Sequence, residues 1–297
     1  MKNKKPLVVI LGPTASGKTN LAIKLAQKFN GEIICADSRT IYKFMDIGTA
    51  KTSVEERKII PHFLLDIVKP DEKFSVAEFQ KMASKIIGEI YKRKKTPFLV
   101  GGTGLYIEAV TEGFKIPKIV EDKNLRDKLN RQDLIKLLSN LKKLDPEAYQ
   151  NIDRKNKRRI IRALEVCLKT KHKFSDLKIK SKPEYNVLKI GLKIEPKILE
   201  KRINKRVNLM FQKGFIREVK KLYKMGYDFD LPSMSGIGYQ EIGNYLKGQI
   251  SLQEAKEKIK LHTRQFAKRQ KTWFKKTKNM NWVSKEKEAE KLIKEFL

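Results

Sequence analysis

Histidine and cysteine are scarce in this chain of 297 residues. It contains two cysteines, Cys35 and Cys167, far apart in the sequence, and three scattered histidines. A disulfide scaffold needs several cysteines, and a structural zinc site needs clustered cysteine or histidine ligands. Neither pattern is present, so we expect a cytoplasmic protein without a structural metal.

Long apolar runs are absent as well. No stretch approaches the roughly 18 consecutive apolar residues that a membrane-spanning helix requires. The N-terminus is basic and then apolar, as in an export signal, but Gly12 and Pro13 interrupt the apolar run. This short run therefore predicts a first β-strand, and we expect no membrane partner.

Acidic residues are few relative to basic ones. Lys and Arg number 67 against 34 Asp and Glu, which gives a formal net charge of +33. A general preference for lysine across a proteome is one explanation. The other, which we favour, is a polyanionic partner, because a basic surface attracts phosphate backbones and accelerates encounter with them.

Short apolar runs alternate with helical patterns in the first third of the chain, and this alternation predicts a parallel sheet flanked by helices. The predicted strands are Leu7–Leu11, Glu32–Ala36, Leu64–Val68, Pro97–Val100, Asn186–Ile194 and Trp282–Val283. The predicted helices include Thr19–Phe29, Ser75–Arg93, Pro196–Lys213, Ile216–Lys224, Tyr239–Leu246 and Ser251–Lys276. Strand patterns are missing from 114 to 181, so we expect a helical insertion there, with 1–113 and 182–297 forming the core.

A phosphate-binding motif follows the first strand. The pattern G-x-x-x-x-G-K-[ST] is matched by Gly12, Pro13, Thr14, Ala15, Ser16, Gly17, Lys18 and Thr19. In such a P-loop the backbone amides point at phosphate oxygens, the lysine adds a positive charge, and the final hydroxyl is placed for Mg²⁺. The motif predicts a P-loop kinase-like α/β core. It leaves open whether the ligand is a nucleotide such as ATP or another diphosphate.

Two further loops follow predicted strands. Asp37 comes after the second strand and lies beside the P-loop if the first and second strands are parallel neighbours. It is a candidate general base, Mg²⁺ partner or substrate clamp, or alternatively the cap of a following helix. Arg39 is either a phosphate ligand or a surface charge. Thr103, between glycines after the fourth strand, is placed to bring its hydroxyl to the same pocket.

Basic side chains cluster on two predicted helices. Arg158, Arg159 and Arg162 lie on or near one face of the first. A second set, which includes Lys268, Arg269 and Lys275, is interleaved with aromatic residues near the C-terminus. We expect the cations to contact phosphates. The aromatic residues are equally well explained as core contacts.

These segments together resemble the tRNA dimethylallyltransferase family, also called the IPP transferase family. The resemblance covers nearly the whole chain and keeps the family's order. It is carried by GPTASGKT (12–19), GEIICADSRTIYKFMDIGTAK (31–51), PHFLLDI (61–67), FLVGGTGLY (98–106), RRIIRALEV (158–166), LPSMSGIGYQEI (231–242) and RQFAKRQKTWF (264–274).

The resemblance implies transfer of a dimethylallyl group from dimethylallyl diphosphate to N6 of the adenine 3′ of the anticodon. Lys18 and Mg²⁺ near Thr19 would neutralise the diphosphate, Asp37 would accept the N6 proton, and Thr103 would orient the amine or the diphosphate. The implied partner is the anticodon stem-loop of tRNA, bound by a monomer. The implied tRNA-binding residues are Asp37, Ser38, Arg39, Thr40, Thr103, Arg126, Arg158, Arg159, Arg162, Gly238, Tyr239, Gln240, Lys268, Arg269 and Lys275.

The chain departs from the family pattern at three places. Thr40 stands where the family usually has Gln, Phe63 replaces a usual second His, and the insertion near Arg126–Leu144 is shorter than usual. Alternative functions are an isopentenyltransferase acting on free adenine nucleotides, and a P-loop ATPase or kinase bound to nucleic acid. A pure RNA-binding module is a third, but it leaves the three converging loops unexplained.

Overall fold

The computed structural model describes residues 4–113, 122–176 and 183–297. The chain divides into two compact units: Met1–Thr111 together with Glu184–Leu297, and Glu112–Pro183. No helix in the described ranges is long and apolar enough to cross a membrane.

A parallel sheet of six strands forms the centre of the larger unit. In chain order the strands are β1 (Lys5–Leu11), β2 (Gly31–Ala36), β3 (His62–Phe63), β4 (Thr96–Gly101), β5 (Tyr185–Leu192) and β6 (Met280–Val283). Their spatial order is β3-β2-β4-β1-β5-β6, with parallel pairing throughout. This arrangement confirms the predicted α/β fold.

Helices cover both faces of this sheet. Those of the larger unit are α1 (Lys18–Lys28), α2 (Val54–Ile59), α3 (Val76–Lys92), α4 (Gly104–Thr111), α9 (Pro196–Gln212), α10 (Phe215–Lys224), α11 (Tyr239–Leu246), α12 (Leu252–Lys275) and α13 (Glu286–Phe296). Successive residues of β1 point to opposite faces. Val8 therefore packs in one apolar cluster with residues of α1 and α13, and Val9 in another with residues of α3 and α4.

One condition of the sequence interpretation is not met, and one predicted strand is wrong. β1 and β2 are not neighbours, because β4 lies between them and pairs with both. The predicted strand Leu64–Val68 does not form: the third strand is limited to His62–Phe63. Leu64 and Asp66 take positive φ angles of 62° and 56°, a left-handed conformation that ends an extended strand.

The six predicted helices form with bounds that differ by at most one residue, and α2, α4 and α13 are additional. Side-chain caps explain several starts. Ser75 at the start of α3 and Ser251 at the start of α12 each accept the amide three residues ahead, and the glutamate at that position binds back. These capping boxes satisfy amides that would otherwise lack partners.

The smaller unit is helical in its described residues. It contains α5 (Lys123–Asn130), α6 (Leu134–Leu144), α7 (Pro146–Asn151) and α8 (Lys157–Thr170). Their apolar faces meet in a core that includes Leu137, Leu141, Ile160 and Leu164. Glu165 is fully buried beside this core and binds the guanidinium groups of two arginines of the same unit.

Candidate active site at the carboxyl ends of the central strands

The P-loop occupies the connection between β1 and α1. It contains two residues in left-handed conformations, Ala15 with φ 62° and Gly17 with φ 93°. Gly17 immediately precedes α1, so Lys18 and Thr19 form the first turn of that helix. Amides at a helix N-terminus lack intrahelical acceptors and carry a partial positive charge, which suits an anionic ligand.

Two arginines of α9 reach the P-loop. The Arg202 guanidinium donates to the Ser16 carbonyl at 3.0 Å, and the Arg206 guanidinium donates to the Thr14 hydroxyl at 2.9 Å. Neither residue is predicted from the sequence. Their spacing of four positions on a predicted helix indicates a shared face, but not the loop that this face meets.

Electrostatics at the P-loop favour an anion. Burial lowers the pKa of Lys18 to about 8, Asp37 opposes this shift, and Arg206 adds to it. Burial also lowers the pKa of Arg206, again opposed by Asp37. Two cationic groups that are partly removed from water gain a large interaction energy when an anion binds between them.

Gln270 of α12 joins the P-loop to the loop after β4. Its Oε1 accepts the Thr14 amide at 2.8 Å, and its Nε2 donates to the Gly102 carbonyl at 2.9 Å. Gln270 is buried. A Cβ on Gly102 would lie 2.4 Å from its Nε2, so the glycine allows this approach. The quoted family segment 264–274 includes Gln270, but no role was predicted for it.

Asp37 and Thr103 lie in adjacent loops at the same end of the sheet. The Thr103 hydroxyl accepts the Ser38 amide at 3.0 Å, and the Thr103 amide donates to the Ala36 carbonyl at 3.1 Å. Asp37 Oδ1 accepts the Arg39 amide at 2.9 Å. Turns follow Asp37, not a helix, so the alternative that Asp37 caps a helix is wrong.

Arg39 binds the segment that precedes α11. Its guanidinium donates to the carbonyls of Pro232 and Ser233, at 2.8 and 3.2 Å. It is therefore not simply a surface charge. The Arg39 side chain is half-buried.

A pocket of about 70 Å³ brings together two of the three predicted catalytic residues, Lys18 and Asp37, whereas Thr103 does not line it. Lys18, Thr19 and Asp37 all line it, along with Thr14, Ala22, Ile33, Cys35, Thr40, Thr49, Ala50, Thr52, His62, Leu65, Val100, Gly101 and Arg206. A second pocket, of about 700 Å³, shares Ala50, Thr52 and Arg206 with the first. Burial raises the pKa of the Cys35 thiol to about 12, so this cysteine is not a nucleophile at neutral pH.

The pocket offers oxygen ligands suited to Mg²⁺. The Thr19 hydroxyl and the Asp37 carboxylate both border it. Among the described residues, no group of three or more His, Cys, Asp or Glu side chains could hold a metal. Mg²⁺ commonly binds one or two protein ligands and takes the rest from water and substrate phosphates, so the residues present fit such an ion.

Comparison with known proteins identifies the family. The family profile described as IPP transferase matches residues 40–277. The chain belongs to the IPP transferase family. A tRNA dimethylallyltransferase of Acetivibrio thermocellus is 47% identical over 97% of this chain and 95% of its own length. Another from Halothermothrix orenii is 48% identical over 94% and 87%.

Two solved structures of relatives share the fold. The full-length tRNA isopentenylpyrophosphate transferase of Bacillus halodurans aligns with a TM-score of 0.75 and 42% identity, covering 98% of this chain and 96% of that one. A eukaryotic dimethylallyltransferase acting on tRNA aligns with a TM-score of 0.79 and 30% identity, covering 94% and 74%.

The predicted tRNA-binding residues differ in exposure. In the larger unit Gln240, Lys268, Arg269 and Lys275 are exposed, whereas Gly238, Tyr239 and Thr40 are buried. The Tyr239 ring is 1% exposed and its hydroxyl donates to Glu218. Tyr239 therefore supports the site from inside and is not itself accessible to a partner.

The arginines of the smaller unit also differ in their surroundings. Arg158 and Arg159 are exposed on α8. Arg126 and Arg162 donate to the carboxylate of Glu165, at 2.7 and 2.5 Å. The paired arginines are held in fixed orientations, and each has further N–H groups beyond those directed at Glu165.

Proposed function

We propose that this member of the IPP transferase family transfers a dimethylallyl group from dimethylallyl diphosphate to N6 of the tRNA adenine that lies 3′ of the anticodon. The observation that carries the proposal is the convergence of a P-loop, an arginine and an aspartate on one small pocket. The cations suit a diphosphate leaving group, and the carboxylate suits the proton that the nucleophile must lose.

The donor half of the reaction breaks the bond between C1 of the dimethylallyl group and a diphosphate oxygen. Negative charge then grows on the diphosphate. Lys18 and Arg206 border the pocket in which this charge develops, and the P-loop amides add further donors. Groups already aimed at developing charge stabilise the transition state without reorganisation.

Mg²⁺, when bound, would supply additional charge neutralisation to the diphosphate oxygens. Thr19 is the residue that would hold it, with water and the diphosphate oxygens as the other ligands. The apolar part of the wall, which includes Ile33, Val100 and Leu65, would exclude water from the reacting carbon.

The acceptor half forms the bond between N6 and C1, and N6 loses one proton. Asp37 takes this proton in our proposal. Its loop is held by the Thr103 hydroxyl through the Ser38 amide, so Thr103 positions the base, and in our proposal it also orients the amine or the diphosphate. A positioned carboxylate contributes typically 10²- to 10⁴-fold to such a step.

The adenine must leave its stacked position before its N6 can reach the pocket. Single-stranded loops are recognised through base edges, stacking and phosphates. Asp37, Ser38, Arg39, Thr40 and Gln240 are the proposed contacts near the adenine. The cations Lys268, Arg269, Lys275, Arg126, Arg158, Arg159 and Arg162 are the proposed contacts of the anticodon stem-loop. We further propose a cytoplasmic monomer.

The decisive experiment mixes the protein with Mg²⁺, labelled dimethylallyl diphosphate, AMP, ATP and an unmodified tRNA whose anticodon loop carries an adenine run. Label at that adenine is the expected result. Label on free AMP and not on tRNA would support the isopentenyltransferase of free nucleotides. ATP consumption without any prenyl transfer would support the P-loop ATPase or kinase.

A further inference from the structure

The carboxylate of Glu218 on α10 accepts four hydrogen bonds. Its Oε2 accepts the amides of Asp46 and Ile47, at 2.9 and 2.7 Å. Its Oε1 accepts the amide of Gly48 at 3.1 Å and the hydroxyl of Tyr239 at 2.7 Å. Hydrogen bonds to an ionised acceptor are the stronger kind, so one side chain fixes three consecutive peptide groups.

The segment held by Glu218 has a backbone that needs support. Phe44 and Ala50, on either side of residues 46–48, have φ angles of 67° and 48°. Residues with a Cβ adopt this left-handed conformation only at a cost in energy, so surrounding contacts must maintain it. The Lys51 ammonium adds one such contact, a hydrogen bond of 2.7 Å to the Tyr42 carbonyl.

Packing against α10 and α11 also fixes this segment. A Cβ on Gly48 would lie 2.2 Å from the Phe215 ring and 2.6 Å from the Tyr239 ring. These rings contact each other edge to face, with centroids 5.1 Å apart. The backbone at Gly48 thus packs directly on α10 and α11, in the position where the Glu218 carboxylate accepts the Gly48 amide.

The residues that follow this anchored stretch form a wall of the candidate active site. Thr49, Ala50 and Thr52 line the 70 Å³ pocket together with Lys18 and Asp37. Ala50 and Thr52 also line the larger pocket beside it. A displacement of residues 46–48 would therefore move the wall that faces the diphosphate and its prenyl group.

We propose that Glu218 is a positioning residue for the prenyl donor. It acts through the backbone of residues 46–48 and keeps Thr49, Ala50 and Thr52 in place around the donor. This proposal rests on the proposed function. We expect Glu218 to affect the donor and not tRNA. Its carboxylate accepts hydrogen bonds from the backbone of residues 46–48 and from the buried Tyr239 hydroxyl, and these contacts all lie inside the larger unit.

The test compares Glu218→Ala with Glu254→Ala. Glu254 also accepts a backbone amide, that of Ser251 at 2.7 Å, but it lies at the start of α12 and lines neither pocket. Hydrogen–deuterium exchange would follow the amides of residues 46–48, and steady-state kinetics would vary each substrate separately. We expect faster exchange at these amides and a fall of roughly 10- to 100-fold in kcat/KM for the donor in Glu218→Ala.

The dissociation constant for tRNA should stay unchanged in Glu218→Ala, and Glu254→Ala should show neither effect. Unchanged exchange at residues 46–48, or a defect confined to tRNA binding, would overturn the proposal. If Glu218→Ala does not fold, Glu218→Asp must show the same changes in smaller degree, because its carboxylate is one methylene shorter.

The exchange measurement needs no substrate, and calorimetric titration with inorganic diphosphate needs no tRNA. Absence of prenyl transfer by the unmodified protein would therefore reject the proposed function while these two measurements still decide the role of Glu218. Faster exchange together with weaker diphosphate binding supports that role, and the absence of either change contradicts it.

Discussion

The side chain of Gln270 accepts a 2.8 Å hydrogen bond from the backbone amide of Thr14, a residue 256 positions away in the sequence. The other end of the same amide group donates to Gly102. Helix α12 thereby fixes the distance between the P-loop and the glycine-containing loop after β4.

Gln270→Glu should weaken diphosphate binding more than its small change in size suggests. The substitution keeps an acceptor for the Thr14 amide but replaces the donor to Gly102 with an anionic oxygen beside the phosphate site. A buried group left without its partner costs about 1–3 kcal/mol. Calorimetric titration with inorganic diphosphate would measure the loss. Gln253→Glu, at an exposed position of the same helix, is the control, and equal affinities in all three proteins would refute the prediction.

The parts of the site that sequence alone predicts are local. The P-loop was found because its chemistry resides in eight consecutive residues between a buried strand and a helix. Asp37 and Thr103 followed because residues after parallel strands gather at one edge of a sheet. That rule holds although the first and second strands are not adjacent, since β1 lies between β4 and β5.

Long-range contacts account for what the sequence analysis missed. Arg202, Arg206 and Gln270 occur on helices whose periodicity identifies a buried face but not the loop against which it packs. Glu218 was missed for the same reason. It lies on α10, which has the pattern of an ordinary amphipathic helix, and this pattern does not identify the loop that the helix contacts. The strand predicted at Leu64–Val68 failed for another reason: its apolar composition does not reveal the left-handed backbone at Leu64 and Asp66.

Asp37→Asn is the sharpest test of the proposed base. Asparagine can still accept the Arg39 amide, as Asp37 does at 2.9 Å, so the turn should persist. The variant cannot take up the N6 proton. We expect prenyl transfer to fall by at least about 100-fold while tRNA binding is retained. Single-turnover transfer and a tRNA binding titration would be compared, and near-normal transfer would remove Asp37 from this role.

Lys18 should take up a proton when diphosphate binds. Its pKa of about 8 in the free protein means that about half of the molecules carry a neutral lysine at pH 8, and a bound anion would restore the charge. Calorimetry at pH 8 in two buffers of different ionisation enthalpy would measure this uptake. We expect it to approach about half a proton per site. Lys18→Arg, which stays charged, should lose this uptake. Equal uptake by both proteins would contradict the prediction.

The lowered pKa of Lys18 also affects the free energy of unfolding between about pH 8 and 10.5. The pKa of Lys18 lies below the 10.5 of an ordinary lysine, so between about pH 8 and 10.5 the unfolded chain binds more protons at this position. The contribution of Lys18 to the free energy of unfolding therefore increases with pH across that window. Donor binding changes in the opposite direction, because the neutral amine attracts diphosphate less.

Glu165 should make the smaller unit sensitive to acid. Burial of Glu165 opposes ionisation, but hydrogen bonds from Arg126, the Asp122 amide and Arg162 outweigh it and lower the pKa to about 2. The resulting stabilisation is complete above about pH 4.5 and is lost as the pH falls towards 2. Glu165→Gln should lose about 3 kcal/mol at neutral pH.

Melting curves followed by far-UV circular dichroism at pH 7 and pH 3 would measure this effect. The unmodified protein should lose stability between the two values, and Glu165→Gln should lose less because its neutral amide does not titrate. Glu147→Gln, at an exposed position of the same unit, should follow the unmodified protein. An identical acid response in Glu165→Gln would show that the arginine pairs do not stabilise this unit.

The exposed cations should determine how tRNA binding depends on salt. Each phosphate contact releases counterions and contributes roughly 0.7–0.9 to the slope of log K against log salt concentration. Arg269→Ala and Arg158→Ala remove exposed guanidinium groups on α12 and α8. Each should therefore weaken binding and reduce the slope by about that amount. Lys291→Ala removes one positive charge from an exposed position of α13, outside the proposed interface. It should leave the slope unchanged. Equal slopes in all four proteins would show that net charge, and not these two helices, attracts the RNA.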